Sequence, residues 1–453
     1  MKSIKNLMFL VFITCLTFVF LSCTKKADTL QVKKLEIDEN QVLINENLIV
    51  EKQELTFEEI EKQKYENAIT DFVGRLSLEE KIGQMFLITI GGTEFHDSYY
   101  SVENFIAPGG YLLFAYNFVD GKQTIDFTSN IGNWYAKNQF IKPYFSVDQE
   151  GGLVNRLRDV ASPLPSAHSI AKFLSVDLAK IIYSLAAKQL SSLGIHVNLG
   201  PVVEILTEDN KNFLDTRSFG DKEKVAVYSS IFIETMLENG VYPVVKHFPG
   251  NNADDPHLGL PVIDFDLEHT KEILFSPFES IEKKEQIGAL VAHSVVPALF
   301  NKDETPIPSC LSKTVVSEVL INQLGYNGLL FSDDLLMAAL QNNGYESIES
   351  ISMAIKAGIN VLMVAQKEYV PFINEIAKLC QNDIELVNQI EASAKKIIDF
   401  KVHHGLLNYF EGKISLPPVL PNEELVEYQN QKYDEFLEFY NQGKDFYQMY
   451  WGS

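Results

Sequence analysis

Four short stretches hold most of the residues able to do chemistry. They are "DQEGG" at 148–152, "KHFPGNNADDPHLGLP" at 246–261, "AHS" at 292–294 and "SDDL" at 332–335. Between them they supply carboxylates, imidazoles and a lysine. Such groups move protons, attack electrophilic carbon or hold a polar substrate. Each stretch follows an apolar run: "PYFSV", "GVYPVV", "ALV" and "GLLF". The polar clusters therefore share one kind of address, the end of a buried strand. Cys310 and Cys380 belong to no CxxC or HxxxH spacing, so neither a disulfide framework nor a metal site is expected of them. Both read as small buried residues.

The runs that position these clusters recur along the chain. Strands are expected at 85–90, 109–114, 143–148, 196–202, 242–248, 289–296, 328–334 and 359–365. Between most of them lie amphipathic stretches of helical period, such as "VDLAKIIYSLAAKQLSSLG" and "KVAVYSSIFIETMLENG". The Gly near the end of each is placed to cap it. A helical pattern also begins near Phe57, and Ser77 with Glu80 spells a capping box. Apolar strands separated by helices imply a parallel sheet buried on both faces. Eight of them fit a (β/α)8 TIM-type barrel, a fold of roughly 250 residues or more. A doubly wound open sheet is the alternative, but no Gly-rich phosphate fingerprint follows the first strand. In a barrel, the C-terminal strand ends converge on one mouth, the catalytic face.

The chain has 453 residues, 46% of them hydrophobic, and a formal net charge of −23. That charge argues against nucleic acid as a partner, because phosphate binding needs a basic face. Lys2 and Lys5 precede an apolar run from Leu7 to Leu21, followed by Ser22 and Cys23. The run is short for a membrane span, which needs roughly 20 apolar residues. It reads as an export signal over 1–22, and "FLSC" resembles a lipoprotein cleavage box with Cys23 as the lipid-bearing residue. Residues 23–55 are polar and read as a membrane tether. A barrel body is expected over 56–410. After the break at "LPPVLP", the segment 411–453 reads as an acidic, aromatic helical extension packed on the barrel. The implied location is the cell envelope, with the exported body held at the membrane by a lipid anchor.

Taken together, "DQEGGLVNRL", "RSFG", "KHFPG" with the following Asp-Pro-His, and "LLFSDDLLM" resemble glycoside hydrolase family 3. The likeness is strongest to its single-domain β-N-acetylglucosaminidases of the NagZ type and covers roughly Leu76 to Leu407. It implies a retaining hydrolase acting on terminal β-linked N-acetylglucosamine in peptidoglycan fragments or related oligosaccharides. It places the nucleophile at Asp333. It places the acid/base at His257, with Asp255 holding the imidazole; Asp254 is the rival for that second role. The spacing of the pair is sensible, because residues i and i+2 of an extended loop project to one side. Asp334 is expected to cap the next helix. Asp148, Arg156, Arg217, Lys246 and His247 are the implied sugar-binding residues. His293 is expected beside the site, and Glu150, Gly151 and Gly152 as a turn under the sugar. No cofactor or metal is implied, and a monomer is expected.

The sequence departs from the family's pattern in the loop "GNNADDPH", where Pro256 stands for the usual Ser, and at Leu153, where an Arg is usual. Two other readings stay open. One is a sugar-binding lipoprotein without catalysis on the same barrel. The other is phosphorolysis of N-acetylglucosaminides. A two-domain β-glucosidase is a poorer fit, since the Asp-x-His pair is present.

Overall fold

The computed structural model describes residues 56–99, 101–252 and 259–452. The expected leader, the tether, Cys23, Asp255 and His257 all lie outside those residues. The body is built on eight parallel strands: β1 Phe86–Thr89, β2 Gly110–Leu113, β3 Tyr144–Val147, β4 Val197–Asn198, β5 Tyr242–Phe248, β6 Gly288–Val291, β7 Leu330–Ser332 and β8 Leu362–Val364. They run in chain order around the sheet. β1 pairs with β8 through Phe86–Leu362, and β7 meets the start of β8 through a Phe331–Val361 bridge, closing the barrel. Every residue of these strands is buried, which is why they carry no polar alternation. The (β/α)8 architecture is the one expected, with the strands somewhat shorter than their apolar runs.

Helices alternate with the strands. α1 is Phe57–Gly74, α2 Leu78–Met85, α3 Gly121–Lys137, α4 Val176–Ser192 and α5 Lys222–Glu238. The capping box at α2 is present: Glu80 N–H donates to Ser77 Oγ, and Ser77 N–H donates to the Glu80 carboxylate. α4 and α5 end with Gly194 and Gly240, both at φ +75. The next amides, Ile195 and Val241, bond back to Leu190 and Met236, so each helix stops short and turns its chain into β4 or β5.

Past a small hairpin, Asn408–Phe410 with Lys413–Ser415, the chain forms one long helix, α6, Asn422–Trp451. It packs against α3 and α4. The buried residues Gln429, Phe436, Gly443 and Phe446 mark the contact stripe. A side chain at Gly443 would collide with Ser162, with Oγ 2.2 Å from the added Cβ, so the close crossing there requires glycine.

Candidate active site

The polar clusters do meet at one end of the barrel. Asp148 lies just past β3 and Glu150 two residues further, in a small hairpin, Gln149–Gly151 with Val154–Asn155. That hairpin is fixed by Asn198 of β4, whose amide exchanges hydrogen bonds with the Gln149 backbone, each 3.0 Å. Lys246 and His247 belong to β5 itself, and the Lys246–His247 and Phe248–Pro249 peptides are cis. Asp333 follows β7 directly.

Lys246 is 3% exposed. Its ammonium donates to Asp148 Oδ1 at 2.6 Å and pairs with Glu150 Oε1 at 2.7 Å. Burial alone would lower its pKa, but the two carboxylates outweigh that and raise it. Glu150 also takes a two-pronged grip from Arg217, Nε to Oε2 and Nη2 to Oε1, both 2.9 Å. Burial would raise the Glu150 carboxyl; Lys246 and Arg217 reverse this and hold it at about 2. Arg156 completes the cluster, with Nη2 3.6 Å from Asp148 Oδ2 and its guanidinium over the Phe114 ring at 5.7 Å. Its Nε is buried with no hydrogen-bond partner among the described residues.

His247 is oriented from behind. Its Nδ1 lies 2.6 Å from Glu204 Oε1. A carboxylate only accepts, so Nδ1 carries the proton and Nε2 presents a lone pair to Arg217 Nη2 at 3.4 Å. Glu204 also accepts from Asn251 N–H at 2.6 Å, which ties the start of the loop beyond β5 to the same carboxylate. Burial pushes the Glu204 carboxyl up, and the His247 and Asn251 hydrogen bonds override it, leaving the pKa lowered. Ser218 Oγ donates to the Glu204 carbonyl at 2.6 Å, which places the neighbouring Arg217.

Asp333 is half-buried. Its Oδ1 accepts Asp334 N–H at 2.8 Å, and Oδ2 has no hydrogen-bond partner among the described residues. Burial works to raise its pKa. The His293 and His247 imidazoles, the Asp334 amide and the Lys246 ammonium together lower it, so the carboxylate is ionised at neutral pH. Such a group, with one oxygen fixed and one open, suits nucleophilic attack.

The five expected sugar-binding residues, Asp148, Arg156, Arg217, Lys246 and His247, thus form one connected network near Asp333. Two expectations need correcting. Glu150 is a buried ion-pair partner and not a turn residue. Gly152 does lie in the turn of the hairpin, as expected, and Gly151 and Gly152, at φ +92 and +57, also make room for the chain at 164–166, since an added Cβ would lie 2.3 Å from Pro165 O or 2.5 Å from Ser166 Cβ. Asp334 caps no helix: its Oδ1 accepts from Leu336 N–H at 3.1 Å and Ala365 N–H at 3.2 Å, and the next helix is capped at Met337 without a side-chain bond. Sequence reasoning passed over Glu204, Asn198 and Asn251. Glu204 had a readable signal, a lone charge in "PVVEIL" just past a strand end.

Residues 77–400 match the glycosyl hydrolase family 3 N-terminal domain. The chain is 30% identical over 285 residues to a β-hexosaminidase of Idiomarina loihiensis, covering 61% of this chain and 82% of that one. It is 29% identical over 310 residues to the β-hexosaminidase LpqI of Mycobacterium tuberculosis, covering 66% and 76%. Among solved structures, a family 3 β-N-acetylglucosaminidase from Paenibacillus superposes with a TM-score of 0.66 at 22% identity over 80% of this chain and 69% of that chain, a likeness of fold. With the family match spanning most of the barrel, this chain belongs to glycosyl hydrolase family 3.

Proposed function

We propose that this glycosidase is a retaining β-N-acetylhexosaminidase that removes terminal β-linked N-acetylglucosamine from peptidoglycan fragments or related oligosaccharides. Asp333 attacks the anomeric carbon through Oδ2 and forms a glycosyl-enzyme. His257, oriented by Asp255, protonates the departing glycosidic oxygen, then takes a proton from the water that releases the sugar. Asp148, Lys246, His247, Arg156 and Arg217 hold the hydroxyls of the terminal ring. The observation that carries this reading is the ionised Asp333 carboxylate, with one free oxygen, beside a network of charged sugar-binding groups. The β-hexosaminidase names of the relatives support the choice of sugar.

The test is turnover of an aryl β-N-acetylglucosaminide against an aryl β-glucoside, with a mechanism-based fluorosugar to trap the intermediate. Preference for the first substrate and a labelled peptide containing Asp333 are expected. Labelling at Asp334 or Asp148 would overturn the assignment. We also propose that Cys23 carries a lipid that anchors the exported body. Cys23→Ala should lose both lipid labelling and membrane retention, and a variant that still sediments with membranes would sink this part.

A further inference from the structure

Behind Asp333 lies a set of groups that the proposed chemistry does not use. His293, just past β6, is 1% exposed, and Cys310 is fully buried against it. His293 Nε2 is 2.9 Å from the carbonyl oxygen of Asp334, and Nδ1 is 3.1 Å from Cys310 Sγ. A carbonyl only accepts, so Nε2 carries a proton. In the neutral ring Nδ1 is then an acceptor, and the Cys310 S–H is its donor. The opposite arrangement, a thiolate beside an imidazolium, is disfavoured here. Burial raises the thiol's pKa well above its ordinary value, and the Asp333 charge raises it further. Cys310 is not free to drift, because its own amide bonds to Ala292 O at 3.1 Å and the preceding Ser309 amide to Ser294 O at 3.0 Å. Both acceptors belong to the segment that carries His293.

The chain of contacts runs on to the nucleophile. The Asp334 carbonyl accepts from His293 Nε2–H at 2.9 Å and from Met337 N–H at 3.0 Å, and its amide is held by Asp333 Oδ1 at 2.8 Å. Its carboxylate is held by Leu336 and Ala365 N–H, and the Asp333 amide bonds to Val291 O at 3.0 Å. The peptide between the two aspartates is pinned at its amide, and the backbone on either side of it is pinned at the Asp333 amide and the Asp334 carbonyl. We infer that Cys310 and His293 are positioning residues: the Cys310 thiol fixes His293 as the neutral Nε2–H tautomer, and that N–H, through the Asp334 carbonyl, holds the Asp333 carboxylate in attacking position.

The tautomer of this ring is set by the thiol. If the thiol is removed, nothing at Nδ1 fixes which ring nitrogen carries the proton, and the donor to the Asp334 carbonyl is no longer assured. Serine in place of cysteine keeps a donor at the same point.

The inference rests on the proposed glycosidase reading for its kinetic arm alone. That arm compares kcat and KM for aryl β-N-acetylglucosaminide hydrolysis in wild type, Cys310→Ala and Cys310→Ser. In Cys310→Ala, kcat should fall about 10- to 100-fold with little change in KM, the range a misplaced reacting group produces. Cys310→Ser should restore kcat. A second arm needs no turnover: nitrogen NMR of histidine-labelled full-length protein, with the His293 signals assigned by their absence in His293→Gln. Wild type and Cys310→Ser should show the Nε2–H tautomer, and Cys310→Ala a changed tautomer or a mixture of the two. If wild type fails to turn over the substrate, the glycosidase reading is wrong, and the NMR arm alone decides the tautomer. An unchanged His293 signal in Cys310→Ala, or a Ser variant that behaves like Ala, overturns the inference.

Discussion

Replacing Glu150 with Gln tests whether the buried ion network is a working part of the fold. Glu150 is 3% exposed at its side chain and faces Lys246 at 2.7 Å and Arg217 at 2.9 Å. Gln keeps one acceptor but turns an amide N–H₂ toward a cation that cannot accept. Removing one member of a buried charge cluster costs about 3–5 kcal/mol, because the partners stay buried without their counter-charge. Linkage gives an independent figure. A carboxyl held at about 2, against an ordinary 4.5, contributes about 3 kcal/mol of stability. The folded pKa is the lower one, so this contribution is full above about pH 4.5 and is lost as pH falls toward 2. The assay is urea unfolding followed by the fluorescence of Trp134, which is 8% exposed in the barrel wall. At pH 7 the variant should be less stable by about 3 kcal/mol. Its stability should also decline less steeply than that of the wild type between pH 4.5 and 3. KM should rise, since Lys246 and Arg217 lose their common anchor. A variant with wild-type stability and the same acid dependence would refute the reasoning.

His257→Ala should slow cleavage of a natural linkage by about 10²- to 10⁴-fold, while a dinitrophenyl leaving group is spared and azide restores the second step. Equal loss on both leaving groups, with no response to azide, would remove His257 from the acid/base role. Phe436→Ala on α6 deletes a ring that is 3% exposed. It should cost about 3–5 kcal/mol and make the 422–451 helix the first site of limited proteolysis, with KM at the barrel mouth unchanged.

Much of the fold was legible because a (β/α)8 barrel writes itself as eight apolar runs separated by helical periods. "YPVVKHF" maps onto β5 residue for residue, at Tyr242–Phe248. The run at 196–202 yielded only Val197–Asn198 as strand, although backbone bonds to β5 run on through Gly200 and Pro201 to a Val202–Lys246 bridge. The address of the site was legible for a similar reason: polar residues immediately after buried strands have nowhere to go but the mouth. What could not be read was partnership. Nothing in "DQEGG" says that Glu150 reaches inward to both Lys246 and Arg217, 96 and 67 residues away along the chain. Nor does "SCLS" announce that the Cys310 sulfur meets an imidazole from 17 residues upstream. Hydrophobic period reports which face of an element is buried, whereas a buried polar contact depends on how two elements are aligned in space.

Among the described residues the mouth gathers the carboxylates Asp148, Glu150, Glu204 and Asp333, with Asp334 adjoining, and residue type alone does not rank them. Their partners do. Both oxygens of Glu150 are taken by cations, and both oxygens of Glu204 by the His247 imidazole and Asn251. Asp148 accepts from Lys246 through one oxygen and faces Arg156 at 3.6 Å with the other, a looser contact that a sugar hydroxyl can enter. Asp333 accepts one backbone amide and keeps Oδ2 open. A carboxylate saturated by cations is a poor nucleophile, since its lone pairs are already engaged. The proposed division of labour follows from that: Glu150 and Glu204 hold the cations and the imidazole in place, Asp148 is left to meet the substrate, and of these four Asp333 is the one that keeps an oxygen without a partner among the described residues. Lys246, one of the groups that lower the Asp333 pKa, stands on its flank and is neutralised in turn by Asp148 and Glu150. The network therefore helps to lower the Asp333 pKa without covering Oδ2, the atom proposed to react.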